Sequence, residues 1–207
     1  MIFQLHKVKK TAMALTVVMV LCFLSCGVFA QEEPKTPEEA IAFCTAVIQK
    51  NPQLAKEAYY GRGLAYRDKG NLRQAIADFT KAIEISPDYA EAYHDRGIVY
   101  HDMGNLDQAI SDYGRVIQLK PDFAYAYSNR GNTYNEKSNP DLAIIDFNKA
   151  LEINPNLAEA YYGRATSYFY KKEYDKSWSD LHKAESLGLQ LPPTLKQALM
   201  KATGRQQ

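Results

Sequence analysis

Histidine, cysteine and carboxylate side chains are the groups through which this chain could do chemistry. His94 and His101 make the first case to answer. Each precedes an aspartate, Asp95 and Asp102, on the same face of one expected helix. A separation of seven residues puts the rings about 10 Å apart along a helix axis. One metal ion cannot bridge that distance, and a metal site using either ring needs ligands from other helices. His182 reads as a solvated helix residue. Cys44 falls on the apolar side of another expected helix, where a thiol is buried and inert rather than nucleophilic. The chain has no Gly-rich phosphate loop, nucleophile elbow or paired-cysteine zinc spacing. The expectation is a protein that is not an enzyme and that uses no cofactor or metal.

A second set of charged groups recurs with a period. Arg62, Arg96, Arg130 and Arg164 are spaced evenly, and Asp78, Asp112, Asp146 and Asp180 follow them at the same interval. No nucleophile or metal ligand accompanies the column, so catalysis is not its expected use. It reads as an Arg–Asp pairing between helices that fixes their geometry, within a unit or to its neighbour.

The interval is 34 residues, and laid out from Lys56 the chain divides into units 56–89, 90–123, 124–157 and 158–191. Each unit holds two helical patterns joined by a short turn, and Pro87, Pro121 and Pro155 stop the second helix of the first three. Small residues recur at the eighth place (Gly63, Gly97, Gly131, Ala165), the twentieth (Ala75, Ala109, Ala143, Ser177) and the twenty-seventh (Ala82, Val116, Ala150, Ala184). Large ones recur at the fourth (Tyr59, Tyr93, Tyr127, Tyr161), the eleventh (Tyr66, Tyr100, Tyr134, Tyr168) and the twenty-fourth (Phe79, Tyr113, Phe147, Leu181). Small side chains let helices approach closely, and large ones fill the spaces between stacked hairpins.

This alternation over 56–191 resembles the tetratricopeptide repeat family. The fourth unit departs from it, with Lys172 in place of the turn glycine, Ser177 of the alanine and Leu189 of the proline. The resemblance implies an all-α fold, a right-handed superhelical solenoid of helix-turn-helix repeats. Four full repeats are expected to follow a half-repeat helix at 36–52, entered through Thr36, Pro37 and Glu39 as N-cap, first turn and capping box. A capping helix at 193–203 closes the array, with Trp178 filling space against it.

The family also implies a groove lined by the first helix of each unit. Carried over place by place, its residues are Tyr60, Leu64, Arg67, His94, Ile98, His101, Tyr125, Asn132, Tyr162, Phe169 and Tyr170. Five of these aromatics, Tyr60, Tyr125, Tyr162, Phe169 and Tyr170, are not required by the repeat core. They are the expected contacts for an extended peptide or partner helix. Tyr60 and Leu64 stand where the chaperone-tail clamp of the family has Lys and Asn, so binding of an acidic chain terminus is not expected.

Residues 1–30 read as an export signal, with a basic start (HKVKK), a 13-residue apolar run (AMALTVVMVLCFL) and small residues in VFA before Gln31. Two other fates remain open, lipidation at Cys26 in FLSC and retention of 12–30 as a membrane anchor. Residues 31–35 are a linker. The expected location is the bacterial periplasm, with the outer membrane, an anchored form or secretion as alternatives. Three of the 25 basic residues lie in the leader, which leaves 22 against 24 acidic ones and a net charge near −2. That balance gives no pull toward nucleic acid, and membrane contact is expected only through the leader. The sequence reads as an exported non-catalytic scaffold that binds a protein through its groove and helps assemble or tether an envelope complex. The alternative is a repeat protein that assembles with copies of itself.

Overall fold

Helix boundaries follow from the residues that cannot continue a helix. The computed structural model describes residues 34–204, and the leader with its Cys26 lies outside them. All regular structure among the described residues is helical. They divide between Asn105 and Leu106 into two compact units.

The first unit contains α1 (Pro37–Lys50), a 3-10 turn (Pro52–Leu54), α2 (Ala55–Asp68), α3 (Leu72–Ile85) and α4 (Ala90–Asp102). The second contains α5 (Leu106–Leu119), α6 (Ala124–Glu136), α7 (Pro140–Ile153), α8 (Ala158–Tyr170), α9 (Tyr174–Ser186) and α10 (Pro193–Thr203). No helix among the described residues is long and apolar enough to cross a membrane.

At the start of α1, Thr36 Oγ1 accepts the Glu39 N–H at 3.2 Å, which satisfies one of the orphan donors of the first turn. The Glu39 carboxylate accepts from the N–H of Lys35 at 2.8 Å, one residue ahead of the N-cap. The reciprocal box therefore reaches one residue further back than the usual arrangement.

Four turns close their first helix in the same way. The N–H groups of Asn71, Asn105, Asn139 and Glu173 reach back to the carbonyls of Tyr66, Tyr100, Tyr134 and Tyr168. This six-to-one bond needs a left-handed residue just before it. Gly70 (φ 81°) and Gly104 (φ 76°) supply it in two turns, but Ser138 (φ 56°) and Lys172 (φ 61°) do so in the others. A side chain in that conformation is strained by about 1–2 kcal/mol. Nothing crowds the corresponding glycines, whose added Cβ would meet no atom within 4 Å. Lys172→Gly is accordingly expected to stabilise the chain by about 1 kcal/mol. A urea midpoint unchanged or lowered by that substitution would remove the strain account.

Packing follows the small and large places. In the first unit, Phe79 is fully buried among Leu64, Ala75, Ala82 and Ala92, and Ala40, Cys44 and Val47 of α1 close against Ala58 and Ala65 of α2. In the second, Phe147 is fully buried among Ala143, Ala150 and Ala160. Trp178 packs with Leu181 of α9 and with Leu195 and Leu199 of α10, so the last helix is held by an apolar face. The indole also stacks on His182, ring centroids 5.3 Å apart.

Candidate protein-binding surface

The arginine column ties the first helix of a repeat to its second. Arg62, Arg130 and Arg164 each fork onto Asp78, Asp146 and Asp180 through two hydrogen bonds of 2.7 and 2.8 Å. The paired carboxylate raises each guanidinium above its ordinary pKa. Tyrosines of the fourth and eleventh places lie beside each guanidinium, as Tyr127 and Tyr134 do at 5.9 and 6.0 Å from Arg130. Arg96 belongs to the first unit, where it donates to Thr80 Oγ1, and Asp112 is buried in the second. These bidentate pairs orient helices and hold no reacting atom. Among the described residues no group of three or more His, Cys, Asp or Glu side chains could hold a metal ion.

In the first unit, the face assigned to the groove is largely filled by the protein itself. Asp95 on α4 is 1% exposed and accepts from Tyr60 Oη at 2.6 Å and from Arg67 Nη1 at 2.9 Å, both on α2. His94 is buried beside it, Nδ1 at 3.9 Å from the carboxylate. Leu64 has no exposed surface. Tyr60 packs against Tyr89 and Phe79 at centroid distances of 5.0 and 5.8 Å. Burial, reinforced by the Asp95 charge, pushes the Tyr60 hydroxyl far above the ordinary phenol pKa.

Four sequence-assigned groove residues, Tyr60, Leu64, Arg67 and His94, are therefore parts of the seam between α2 and α4. The expectation that the core does not need Tyr60 is corrected by its place in the apolar cluster around Phe79. Ile98 and His101 remain half-buried.

In the second unit two aromatic rings stay open, at the second and thirteenth places, where the first unit has the carboxylates Glu57, Glu91, Asp68 and Asp102. Tyr125 on α6 is 48% exposed and Tyr170 on α8 is 59% exposed. Tyr162, Phe169 and Asn132 are half-buried. Phe169 meets Tyr170 edge-on at 6.2 Å and Tyr174 at 5.8 Å, which fixes its ring. Asn135 ties the two helices, donating to Gly163 O at 3.0 Å and accepting from Ser167 Oγ at 2.8 Å. The nearby lysines Lys137 and Lys171 are paired with Asp107 and Asp141. This face thus offers aromatic rings and amides together with two exposed carboxylates, Glu136 and Glu159.

A family model described as TPR repeat matches residues 63–104 and 99–138, and one described as Tetratricopeptide repeat matches 124–157. Residues 63–157 carry tetratricopeptide repeats. The matches stop at residue 157, yet α8 and α9 form a further TPR-like hairpin with the same Arg–Asp fork and the same turn bond.

Among solved structures, a crystal structure of MamA is 26% identical with a TM-score of 0.68, covering 73% of this chain and 88% of that one. MamA 41-end from Desulfovibrio magneticus RS-1 is 20% identical with a TM-score of 0.67, covering 86% and 94%. The first TPR of Spaghetti (RPAP3) bound to the HSP90 peptide SRMEEVD is 22% identical with a TM-score of 0.52, covering 56% and 90%. No curated protein matches the chain.

Sequence reasoning missed Asp95 as the residue that closes the first unit's TPR face. A signal was available at the sixth place, where the other units have Gly61, Asn129 and Gly163 and only this one has a carboxylate.

Proposed function

We propose that this chain is a non-catalytic TPR scaffold that holds an extended peptide or partner segment on the first-helix face of its second unit, and that it works after export, in the cell envelope. TPR folds are typical of protein-interaction scaffolds, and the repeats found here support a protein partner. The observation that carries the location is the exposure of the aromatic rings of Tyr125 and of Tyr170, the latter edge-on to Phe169, at the second and thirteenth places, where the first unit has only carboxylates around its filled seam. Partly exposed aromatics with polar tips are the side chains that supply most contact energy in protein recognition. The export half of the proposal rests on the pattern of residues 1–30, and protein purified from the envelope fraction is expected to begin at Gln31.

The test is crosslinked capture from that fraction with wild type and with Tyr125→Ala/Tyr170→Ala. Both side chains are exposed, so the variant should keep its circular dichroism melt. A partner recovered by wild type and reduced at least about tenfold by the variant supports the reading. Equal recovery refutes it, and recovery of the chain alone moves the function to self-assembly.

A further inference from the structure

The repeats serve as controls for one another at the third Nη1 arm of the arginine column. Arg62 Nη1 donates to Thr45 Oγ1 at 3.0 Å, Arg96 Nη1 to Thr80 Oγ1 at 2.9 Å and Arg164 Nη1 to Asn148 Oδ1 at 2.6 Å. In each case the acceptor is a neutral side chain on the preceding second helix. Thr80 and Asn148 hold the twenty-fifth place of their units, and at that place the second unit of the repeat has Gly114 on α5.

A Cβ added there would lie 3.6 Å from Arg130 Nη1, so the arm points at the spot where a side chain is missing. Gly114 is not there to relieve crowding, because 3.6 Å is ordinary van der Waals contact. It is also a costly residue inside a helix. Two neighbouring departures follow on α7, where Leu142 and Ile145 are 39% and 62% exposed. The other units have Gln74 and Ala77, Gln108 and Ser111, and Lys176 and Ser179 at these places. Spaced three apart, Leu142 and Ile145 share one helix face. Ile145 adjoins Asp146, whose carboxylate holds Arg130.

We propose that Gly114, Arg130, Leu142 and Ile145 form a second contact surface, on the second-helix side of the second unit. It takes a partner segment that puts a carboxamide or hydroxyl oxygen on Arg130 Nη1 and an aliphatic side chain on Leu142 and Ile145. Asp146 already balances the guanidinium charge, so a neutral acceptor fits and a second carboxylate would be repelled by the first. The chain's own Thr45, Thr80 and Asn148 show the chemistry that the open arm accepts. This surface is separate from the aromatic face bearing Tyr125 and Tyr170.

The probe is a random dodecapeptide phage library selected on the purified full chain. Enriched peptides are expected to pair Asn, Gln, Ser or Thr with a neighbouring Ile, Leu or Val. Their binding should fall about tenfold or more on Gly114→Asn, which supplies the missing acceptor internally, and on Ile145→Lys. Gly114→Asn should raise Tm by about 3 °C, so the loss cannot be ascribed to unfolding. Binding should persist on Tyr125→Ala/Tyr170→Ala. Peptides that survive Gly114→Asn, an enriched set carrying Asp or Glu at the acceptor position, or no enrichment at all would each overturn the surface. Peptides lost only on the tyrosine variant would overturn it while upholding the aromatic face.

Discussion

Asp95→Ala is expected to destabilise the first unit by about 4 kcal/mol, the range seen when one partner of a buried ion pair is removed. Arg67 is almost fully buried, and Asp95 Oδ1 at 2.9 Å is its short charged contact. The remaining carboxylate, Asp68, stands at 3.5 Å and is itself partly exposed. Without Asp95 the guanidinium stays in a low-dielectric seam with only the longer Asp68 contact to compensate its charge, and Tyr60 loses the acceptor of its 2.6 Å hydrogen bond. Chemical denaturation of wild type, Asp95→Ala, Arg67→Met and the double variant measures this directly. The double variant should recover about half or more of the loss, because an apolar pair of similar volume no longer strands a charge. A single-variant loss under about 1 kcal/mol would show that water reaches the seam and that Asp95 does not lock the two helices.

Gly163→Ala is expected to cost about 3 kcal/mol in the second unit. The new Cβ would stand 2.4 Å from Phe147 Cζ, 2.6 Å from its Cε1 and 2.8 Å from Asn132 Oδ1. The ring has little room to retreat, because it already lies close against Gly131, where an added Cβ would stand 3.0 Å from its Cε1 and Cζ, and Phe147 has no exposed surface. Helix propensity acts the other way, favouring alanine by about 1 kcal/mol, and the steric term outweighs it. Gly114→Ala is the internal control, since its Cβ meets nothing closer than 3.6 Å and the same substitution there should stabilise. Adding Phe147→Leu to Gly163→Ala should return part of the loss. A Gly163→Ala variant as stable as wild type would mean that α8 can move off α6 without penalty.

The architecture was legible because its determinants are local and repeated. A 34-residue period, small residues at three places and turn glycines can be read without knowing any contact, since each hairpin meets the same neighbours. The Arg and Asp columns were visible for the same reason. Ser138 and Lys172 show the limit of that argument, because the turn bond recurs even where the glycine that would favour it has been lost.

The binding face was not legible in this way. Family places 5, 9 and 12 mark the same side of every first helix, yet Tyr60, Leu64 and Arg67 are buried while Tyr162, Thr166 and Phe169 at those places of α8 are only half-buried. Coverage is decided by a residue roughly one repeat away: Asp95 lies 35 positions from Tyr60 and 28 from Arg67, and it pulls both side chains into the seam. In the second unit Gly163 stands 28 positions from Asn135, and only its backbone carbonyl is offered. The sequence by itself determined the helices, their turns and their order. The tertiary structure alone decided which side chains remain for a partner, because burial depends on what the next hairpin places across the seam, and that pairing carries no periodic signal.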